Sequence, residues 1–566
     1  MPRAIDLLRE GRDEELWQMC CGFLRLDIDE FMDIQKRLLL EQLELLNRSK
    51  LGEKIMRGAR PRTVEEFRRL VPLTSYKDYC PELIEKREDG LPAKPESWVH
   101  TSGKSGEYPY KWVPMTSDYA LELSKILYGV GMISCAREWG DTSHIPDTIN
   151  ILYSVAPSPY ISGKFAELLE KQSPINYLPG LAEVDRLSFE ERIALGFQQA
   201  MTQGVDYFFG LSLVLVKVGD KIYHSSNSAS LLPYLKSPKA LWRLGRGKIR
   251  SRLARRPMLP RDLWSLKGII GSGIDSLVYT KKIREYWGRN PLDLYSCTEG
   301  GVIATQAWDY EGMTFVPNLN FLEFIPEDEQ LKLQMDRSYK PRTLLLDEVQ
   351  VGENYELVIT NYYGGAMTRY RIGDNVRIQS LRNDKLGIAT PQMVFERRVD
   401  DVIDFVFVRL TEKAIWQAIE KTGIPYTDWI AYKKEGESVL QVCLEPADGF
   451  RASPAEVAEA IYGQIIMLDD DARNVNIRKD FANFIDFKLE VTLLPRGTFS
   501  RYTARRQATG ADLAHLKPPH VNPPDAVLSY LLAETEEIIE VTRAKISAGI
   551  KTTDIDNPDK MKAKQL

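Results

Sequence analysis

The chain has 566 residues, of which 43% are hydrophobic and 27% charged, and its formal net charge is −5. That length suggests more than one domain and is ample for a full core. The near-balanced charge excludes a general polyelectrolyte binder, so no nucleic-acid partner is expected. No apolar run approaches the ~18–20 residues needed to cross a bilayer; the longest, at 208–216, has the length of a strand.

The opening MPRAIDLLREGRDEELW is too charged for the apolar core of a secretory signal. The six cysteines (Cys20, Cys21, Cys80, Cys135, Cys297 and Cys443) show no CxxC spacing and no clustering with the five histidines. Zinc is therefore not expected, and a reducing, cytoplasmic location is. His144, His224 and His515 have no neighbouring pattern that nominates a catalytic base.

Residues 1–90 read as a helical opening segment. Phe31, Ile34, Leu38 and Leu45 recur at helical spacings with charges between them, and Pro61 and Pro72 punctuate the run. A Gly-Leu-Pro-Ala-Lys-Pro loop at 90–95 ends it. Up to residue 395, short β-rich runs alternate with helical ones. Strands are expected at 148–155 and 210–218, helices at 121–133 and 279–287. This alternation predicts an α/β domain with a substantial sheet.

A second unit starts near Arg398. Phe487, Leu489, Val491 and Leu493 alternate with polar residues, and Leu440, Val442 and Leu444 repeat the pattern, which predicts two half-buried strands. A helix is expected between them at 454–463. A Pro-rich span at 517–524 leads to a last helix at 526–546 and a polar tail. The expected division is a large α/β domain over 1–396 and a small α+β domain over 397–566.

Four segments carry chemistry. Residues 369–374 read RYRIGD, a tight Arg-x-Gly-Asp turn that leaves Asp374 as an acceptor beside the small Gly373. A carboxylate accepts both hydroxyls of a ribose diol better than any neutral side chain. Starting 24 residues past that aspartate, RVDDVIDFVFV switches from a charged turn to an apolar strand-like run. Thr101-Ser102-Gly103-Lys104-Ser105-Gly106, followed by Lys111, can turn successive N–H groups toward an anion. It is not a Walker A loop, because Trp98 stands where that motif has its first glycine. Finally, Tyr295-Ser296-Cys297-Thr298-Glu299-Gly300-Gly301 places a carboxylate at a strand end, followed by glycines, where Mg²⁺ and a triphosphate could meet. Taken alone, each of the last two segments reads more readily as a polar surface turn.

In this order along one chain, the segments resemble the adenylate-forming superfamily of acyl-CoA synthetases and luciferases, and within it the auxin-responsive acyl-acid amido synthetases. Further pieces fit: FRRLVPLTSYKDY at 67–79, FLEFIP at 321–326, Gly497-Thr498-Phe499, and Leu516-Lys517-Pro518-Pro519. The resemblance implies a large adenylation domain with a small mobile C-terminal domain, and ATP with Mg²⁺ as cofactors. It implies that Thr101, Ser102, Gly103, Lys104, Ser105 and Gly106 form the phosphate loop. Glu299 would hold Mg²⁺, Thr298 and Gly300 would lie beside the phosphates, Tyr295 would flank adenine and Asp374 would bind ribose. Arg398, Arg409 and Lys517 would face the nucleotide, with Arg398, Lys517 and Glu299 catalytic, and Asp400 would be the interdomain hinge. Residues 266–279, with Gly271-Ser272-Gly273, fall where acyl-binding elements precede the glutamate motif.

Two departures stand out, one in the phosphate loop and one that bears on the acceptor. Lys104 replaces the usual Thr or Ser of the phosphate loop. Pro495-Arg496-Gly497-Thr498-Phe499 carries no lysine where acyl-CoA synthetases have their late Ser-Gly-Lys, and arginine is not a movable point charge of the same kind. The expected reaction is activation of a carboxylic acid to acyl-AMP, followed by transfer to an amine, that of an amino acid. Transfer to coenzyme A is the alternative, and a non-catalytic nucleotide- or membrane-binding member of the fold is a third reading. Arg369 and Arg371 could also be structural ion-pair partners. The basic stretch 236–261 is expected to be a solvated helix, with contact to an anionic membrane or partner as the alternative.

Overall fold

The computed structural model describes residues 2–101, 111–154, 156–184, 186–187, 189–225, 237–272, 276–335, 339–398, 402–404, 409–434, 437, 439–467, 487–508, 518–523 and 527–533. The chain forms two compact units, Met1–Val399 and Asp400–Leu566.

In the first unit a short hairpin pairs β1 (Ser97–His100) with β2 (Trp112–Met115). The remaining strands are β3 (Ile149–Ser154), β4 (Ile175–Leu178), β5 (Tyr207–Leu211), β6 (Gly268–Ser272), β7 (Leu292–Cys297), β8 (Gly301–Gln306), β9 (Met313–Phe315), β10 (Asn320–Pro326), β11 (Asn354–Asn361), β12 (Tyr370–Ser380) and β13 (Gln392–Arg398). They form an 11-stranded sheet in the order β10-β11-β12-β13-β9-β8-β7-β6-β5-β3-β4. From β4 to β7 the neighbours are parallel, and from β7 to β10 they are antiparallel. The sheet changes sense at β7. Parallel strands need crossovers, and the intervening helices supply them. The expected strand at 210–218 is corrected: only Gly210 and Leu211 belong to β5, and Ser212–Ser225 is a helix. A continuous apolar run carries no period, so it reads the same in a buried strand and in a buried helix.

The helix Ile28–Arg48 shows how the opening segment is fixed. Asp27 caps it, accepting from Glu30 N at 2.8 Å, while the Glu30 carboxylate takes Asp27 N at 3.0 Å. It buries Phe31, Met32, Leu38, Leu39, Leu43 and Leu46 on one face, with Gln35 and Gln42 among them. Buried amides need partners. Gln35 donates to Pro317 O and Asn320 O and accepts from Leu322 N, whereas Gln42 bonds both Gly364 N and Gly365 O. The helix is thereby keyed to β10 and to the turn before β12.

The second unit is α+β. A short antiparallel pair, β14 (Val402–Asp404) and β15 (Arg409–Thr411), precedes the helix Glu412–Thr422. β16 (Tyr426–Lys433) pairs antiparallel with β17 (Val439–Pro446), and β18 (Lys488–Leu493) joins β17 in parallel. The helix Pro454–Met467 buries Val457, Ile461 and Ile465 against this sheet's core. Residues 527–533 are helical; the rest of the expected terminal helix and the polar tail lie outside the described residues.

Candidate active site

The turn after β7 contains Thr298, Glu299 and Gly300. It sits where the sheet changes from parallel to antiparallel, beyond the carboxyl end of a strand, the place where open α/β sheets bind ligands. Two buried asparagines hold its backbone. Asn361 Nδ2 donates to Glu299 O at 2.8 Å and to Asn320 Oδ1 at 2.8 Å, and Asn320 Nδ2 donates to Gly300 O at 2.7 Å. Gly300 packs closely, since a Cβ there would lie 2.8 Å from Ile359 Cδ1. The Glu299 side chain is 8% exposed and accepts from Tyr370 OH at 3.0 Å. Burial, then the charge and hydrogen bond of Glu299, push the Tyr370 hydroxyl well above its ordinary pKa, so it stays a donor.

Asp374 lies on β12, and the expected turn around it is corrected. Residues 371–374 belong to the strand, with Gly373 at φ +80°. The β11–β12 register slips here: Glu356 pairs with Asn375 but Val358 pairs with Arg371. The extra residues form a bulge, which a left-handed glycine accommodates and which re-aims the neighbouring side chain. Asp374 accepts from Tyr295 OH at 2.8 Å, although Tyr295 lies on β7. The Tyr295 ring rests near Phe395 of β13, with centroids 5.8 Å apart. The Cys297 thiol is pushed well above the ordinary range by burial and then by the charges of Glu299 and Asp374.

The opening segment brackets this strand. Thr74 N donates to Arg369 O at 2.8 Å, and Arg371 N to Thr74 O at 3.0 Å. Arg369, at φ +46° and 5% exposed, makes a two-pronged pair with Glu323 at 2.9 and 2.7 Å, and its Nη1 donates to Arg68 O and Val71 O. Arg371 pairs likewise with Glu356 at 2.8 and 2.6 Å. Both arginines are spent on structural pairs.

Thr101 stands at the base of the β1–β2 hairpin, its N–H on Lys111 O at 3.1 Å and its Oγ1 accepting from Lys111 N at 3.2 Å. Lys111 Nζ comes within 3.5 Å of Tyr370 OH, so the base of the loop abuts the Glu299 pair. Ser102, Gly103, Lys104, Ser105 and Gly106 lie outside the described residues, as do Gly273, Asp400 and Lys517. Arg398 ends β13 as the register partner of Asp374, and Arg409 opens β15 opposite Asp404; neither side chain is described. In the second unit, Glu445 accepts from Gly497 N at 2.7 Å and Phe499 N at 2.9 Å, fixing the segment that lacks the late lysine, and Arg496 pairs with Asp448 at 2.7 Å.

Residues 22–153 match the model of the GH3 family N-terminal domain, and residues 313–398 that of the GH3 family central domain. These two segments thus resemble the N-terminal and central domains of the GH3 family. The matched segments contain residues 101–106, Asp374 and Arg398, whereas Tyr295 and Glu299 fall between them. Among curated relatives, the jasmonoyl–L-amino acid synthetase JAR4 of Nicotiana attenuata is 30% identical over 274 residues, 46% of this chain and 45% of that protein. The 4-substituted benzoates–glutamate ligase GH3.12 of Arabidopsis thaliana is 26% identical over 41% of each chain. The chain thus spans about half the length of the curated relatives it matches. Among solved structures, the AtGH3.15 acyl acid amido synthetase in complex with 2,4-DB aligns over 89% of this chain and 93% of its own, with TM-score 0.60 and 14% identity. A 2-hydroxyisobutyryl-CoA ligase in complex with 2-HIB-AMP aligns over 91% and 94%, with TM-score 0.58 and 13% identity. The chain therefore has the adenylate-forming fold.

Three residues of the site were not singled out from sequence: Tyr370, Asn320 and Asn361. The signal for Tyr370 was present, because it precedes Asp374 by four residues in the same motif. The asparagines gave none, since a buried amide in a strand looks like any polar interruption. In the second unit, His520 was also missed. It lies between Glu412, at 2.5 Å from Nδ1, and Asp428, at 2.9 Å from Nε2, and stacks on Trp429 with centroids 4.8 Å apart.

Proposed function

We propose that the chain is an ATP-dependent ligase that activates a carboxylic acid as its acyl-AMP and transfers the acyl group to the amine of an amino acid. The observation that carries this reading is the pair of tyrosine-held carboxylates, Tyr295–Asp374 and Tyr370–Glu299, beside the base of the 101–111 loop. The names of the curated relatives, amino acid synthetases and a glutamate ligase, support the acceptor. That all six cysteines, each among the described residues, are outside any disulfide supports a cytoplasmic setting.

In this reading the substrate carboxylate oxygen attacks the α-phosphorus of ATP, and the bond to the β-phosphate oxygen breaks to release pyrophosphate. The amine nitrogen then attacks the acyl carbonyl; AMP leaves and the ammonium proton is lost. Carboxylates are poor acyl donors because oxide would have to leave, and AMP removes that obstacle. The protein supplies position and charge compensation. Asp374, with Oδ2 already held by Tyr295, accepts from the ribose, and the Tyr295 ring flanks adenine. Thr101, Ser102, Gly103, Lys104, Ser105 and Gly106 receive the β- and γ-phosphates, and Thr298 and Gly300 border the α-phosphate.

The donor set fits Mg²⁺. Glu299 offers a buried carboxylate whose Oε1 is oriented by Tyr370, and no cluster of three or more His, Cys, Asp or Glu exists among the described residues. Mg²⁺ is commonly bound by one or two carboxylates with substrate phosphates and water rather than by an all-protein cage. Bound there, the ion would neutralise phosphate charge. Arg398, Arg409 and Lys517 are assigned to the nucleotide phosphates, and Asp400 to a hinge that lets the small domain turn between the half-reactions.

The test is ATP–pyrophosphate exchange across a broad panel of acids, followed by product masses with amino acids or coenzyme A. Exchange with one acid and a product heavier by an amino-acid residue is the expected result. Background exchange with every acid would favour a non-catalytic nucleotide-binding member of the fold. A thioester product would favour the coenzyme A alternative, which shares this fold in the 2-hydroxyisobutyryl-CoA ligase.

A further inference from the structure

The helix Pro238–Leu253 (PKALWRLGRGKIRSRL) has two faces that do not belong on an ordinary surface helix. Its inner face is small: Ala240, Leu244, Gly247 and Ser251 are buried, at spacings of three and four. Gly247 fits tightly there, for a Cβ would stand 2.8 Å from Leu263 Cδ2. On the opposite side, Trp242, Ile249 and Leu253 are 63%, 61% and 80% exposed. Spaced by seven and four, they fall on one stripe, about 180° around the helix from the buried face at ~100° per residue. A packed helix normally turns its apolar stripe inward, and this one carries a second stripe pointing out.

Cations flank that outer stripe on both sides. Lys239 and Arg250 lie to one side and Lys248 and Arg252 to the other; all four are exposed. Arg246 Cζ sits 4.8 Å from the Trp242 ring centre, covering one edge of it. Two other cations of the stretch have inward duties: Arg243 donates to Met201 O and Thr202 O, and Arg256 pairs with Asp262 at 2.7 Å. No acidic residue occurs between Lys236 and Arg261. A merely solvated helix needs neither three large apolar side chains in line on its outer crest nor an unbroken run of one charge.

We propose that this helix docks the protein in the plane of an anionic lipid surface, with Trp242, Ile249 and Leu253 entering the headgroup–acyl boundary and Lys239, Lys248, Arg250 and Arg252 meeting lipid phosphates. An in-plane amphipathic helix needs this combination: an apolar stripe for burial, tryptophan at the interface, and basic residues whose stems lie along the boundary. Each lysine or arginine near such a surface adds attraction that salt screens. A nucleic acid would use the cations but has no place for isoleucine and leucine along the same crest. The proposal does not rest on the ligase reading, and none of these residues belongs to the candidate active site.

The test uses the full chain with sedimentable vesicles of phosphatidylcholine alone and of phosphatidylcholine mixed with phosphatidylglycerol. Binding to the mixed vesicles at least ~10-fold above the neutral ones, falling as salt is raised, is expected. The triple variant Trp242→Ser, Ile249→Ser, Leu253→Ser and the charge variant Arg250→Glu, Arg252→Glu should each lose that binding by about tenfold or more. Neither should shift the melting temperature by more than a degree or two, because all five side chains are exposed. Equal sedimentation with both vesicle types would overturn the proposal. So would full binding by the apolar triple variant, or binding of the native chain to RNA that this variant retains; either result would mark the helix as a polyanion site.

Discussion

At the residue scale, the candidate site is two carboxylates, each oriented by a tyrosine. Removing the charge at Glu299 while keeping its shape should be decisive: Glu299→Gln is expected to lower pyrophosphate exchange by ~10²-fold or more, with folding unchanged. Tyr370→Phe removes only the donor that orients it, and a loss nearer 10-fold is expected. If Glu299→Gln exchanged normally, the metal assignment would be wrong. Arg369 is expected to behave differently, because its guanidinium is buried and divided between Glu323 and two backbone carbonyls. Arg369→Met strands a buried carboxylate and should cost about 3–5 kcal/mol of stability, measurable by urea unfolding. A near-neutral change would refute a structural role. RYRIGD announced these residues as a motif, but it could not say that two arginines hold the strand while tyrosine and aspartate join the two tyrosine–carboxylate pairs. All four are polar, and only the partners separate their roles.

At the element scale, the turn between β7 and β8 depends on Gly301, which holds φ +62° with a virtual Cβ 2.9 Å from Tyr119 OH. Gly301→Ala would meet both the left-handed backbone strain, roughly 1–2 kcal/mol, and that contact. The expected result is a lower melting temperature together with weakened ATP exchange, since Glu299 lies two residues away; unimpaired exchange would mean the turn tolerates displacement. Periodicity predicted much at this scale. The helices Ser117–Cys135, Ser276–Trp287 and Pro454–Met467 and the strands β17 and β18 lie where their spacing places them. It failed where spacing carries no information, at the continuous apolar run entering Ser212–Ser225 and at the β12 bulge, whose register is set by β11 rather than by its own residues.

At the scale of the whole molecule, each unit has its own hydrophobic core, so each can answer separately to pH. In the second unit, burial alone would lower the His520 pKa, but hydrogen bonds to Asp428 and Glu412 more than offset it and raise it to about 9. The unfolded value is near 6.5. A raised histidine stabilises the fold fully below about pH 6.5, and that contribution is lost as pH climbs through about 9. Hydrogen exchange of second-unit amides from pH 6 to 10 should show stability falling over that window, on the order of 3 kcal/mol, and His520→Gln should flatten the profile. A rise with pH, or the same slope in the variant, would remove His520 as the cause. From sequence alone came the residue types, their order and their local periods: the helical run through Phe31, Ile34, Leu38 and Leu45, the alternating strands of the second unit, and the motifs bearing Thr101, Glu299 and Asp374. Tertiary structure alone decided which groups meet. Tyr370 reaches Glu299 across 71 positions, Tyr295 reaches Asp374 across 79, and His520 reaches Glu412 across 108. A period records only how a segment faces its nearest layer. What a buried carboxylate can do is set by the donors and charges within a few ångströms of it, and strand order, not spacing along the chain, brings those together.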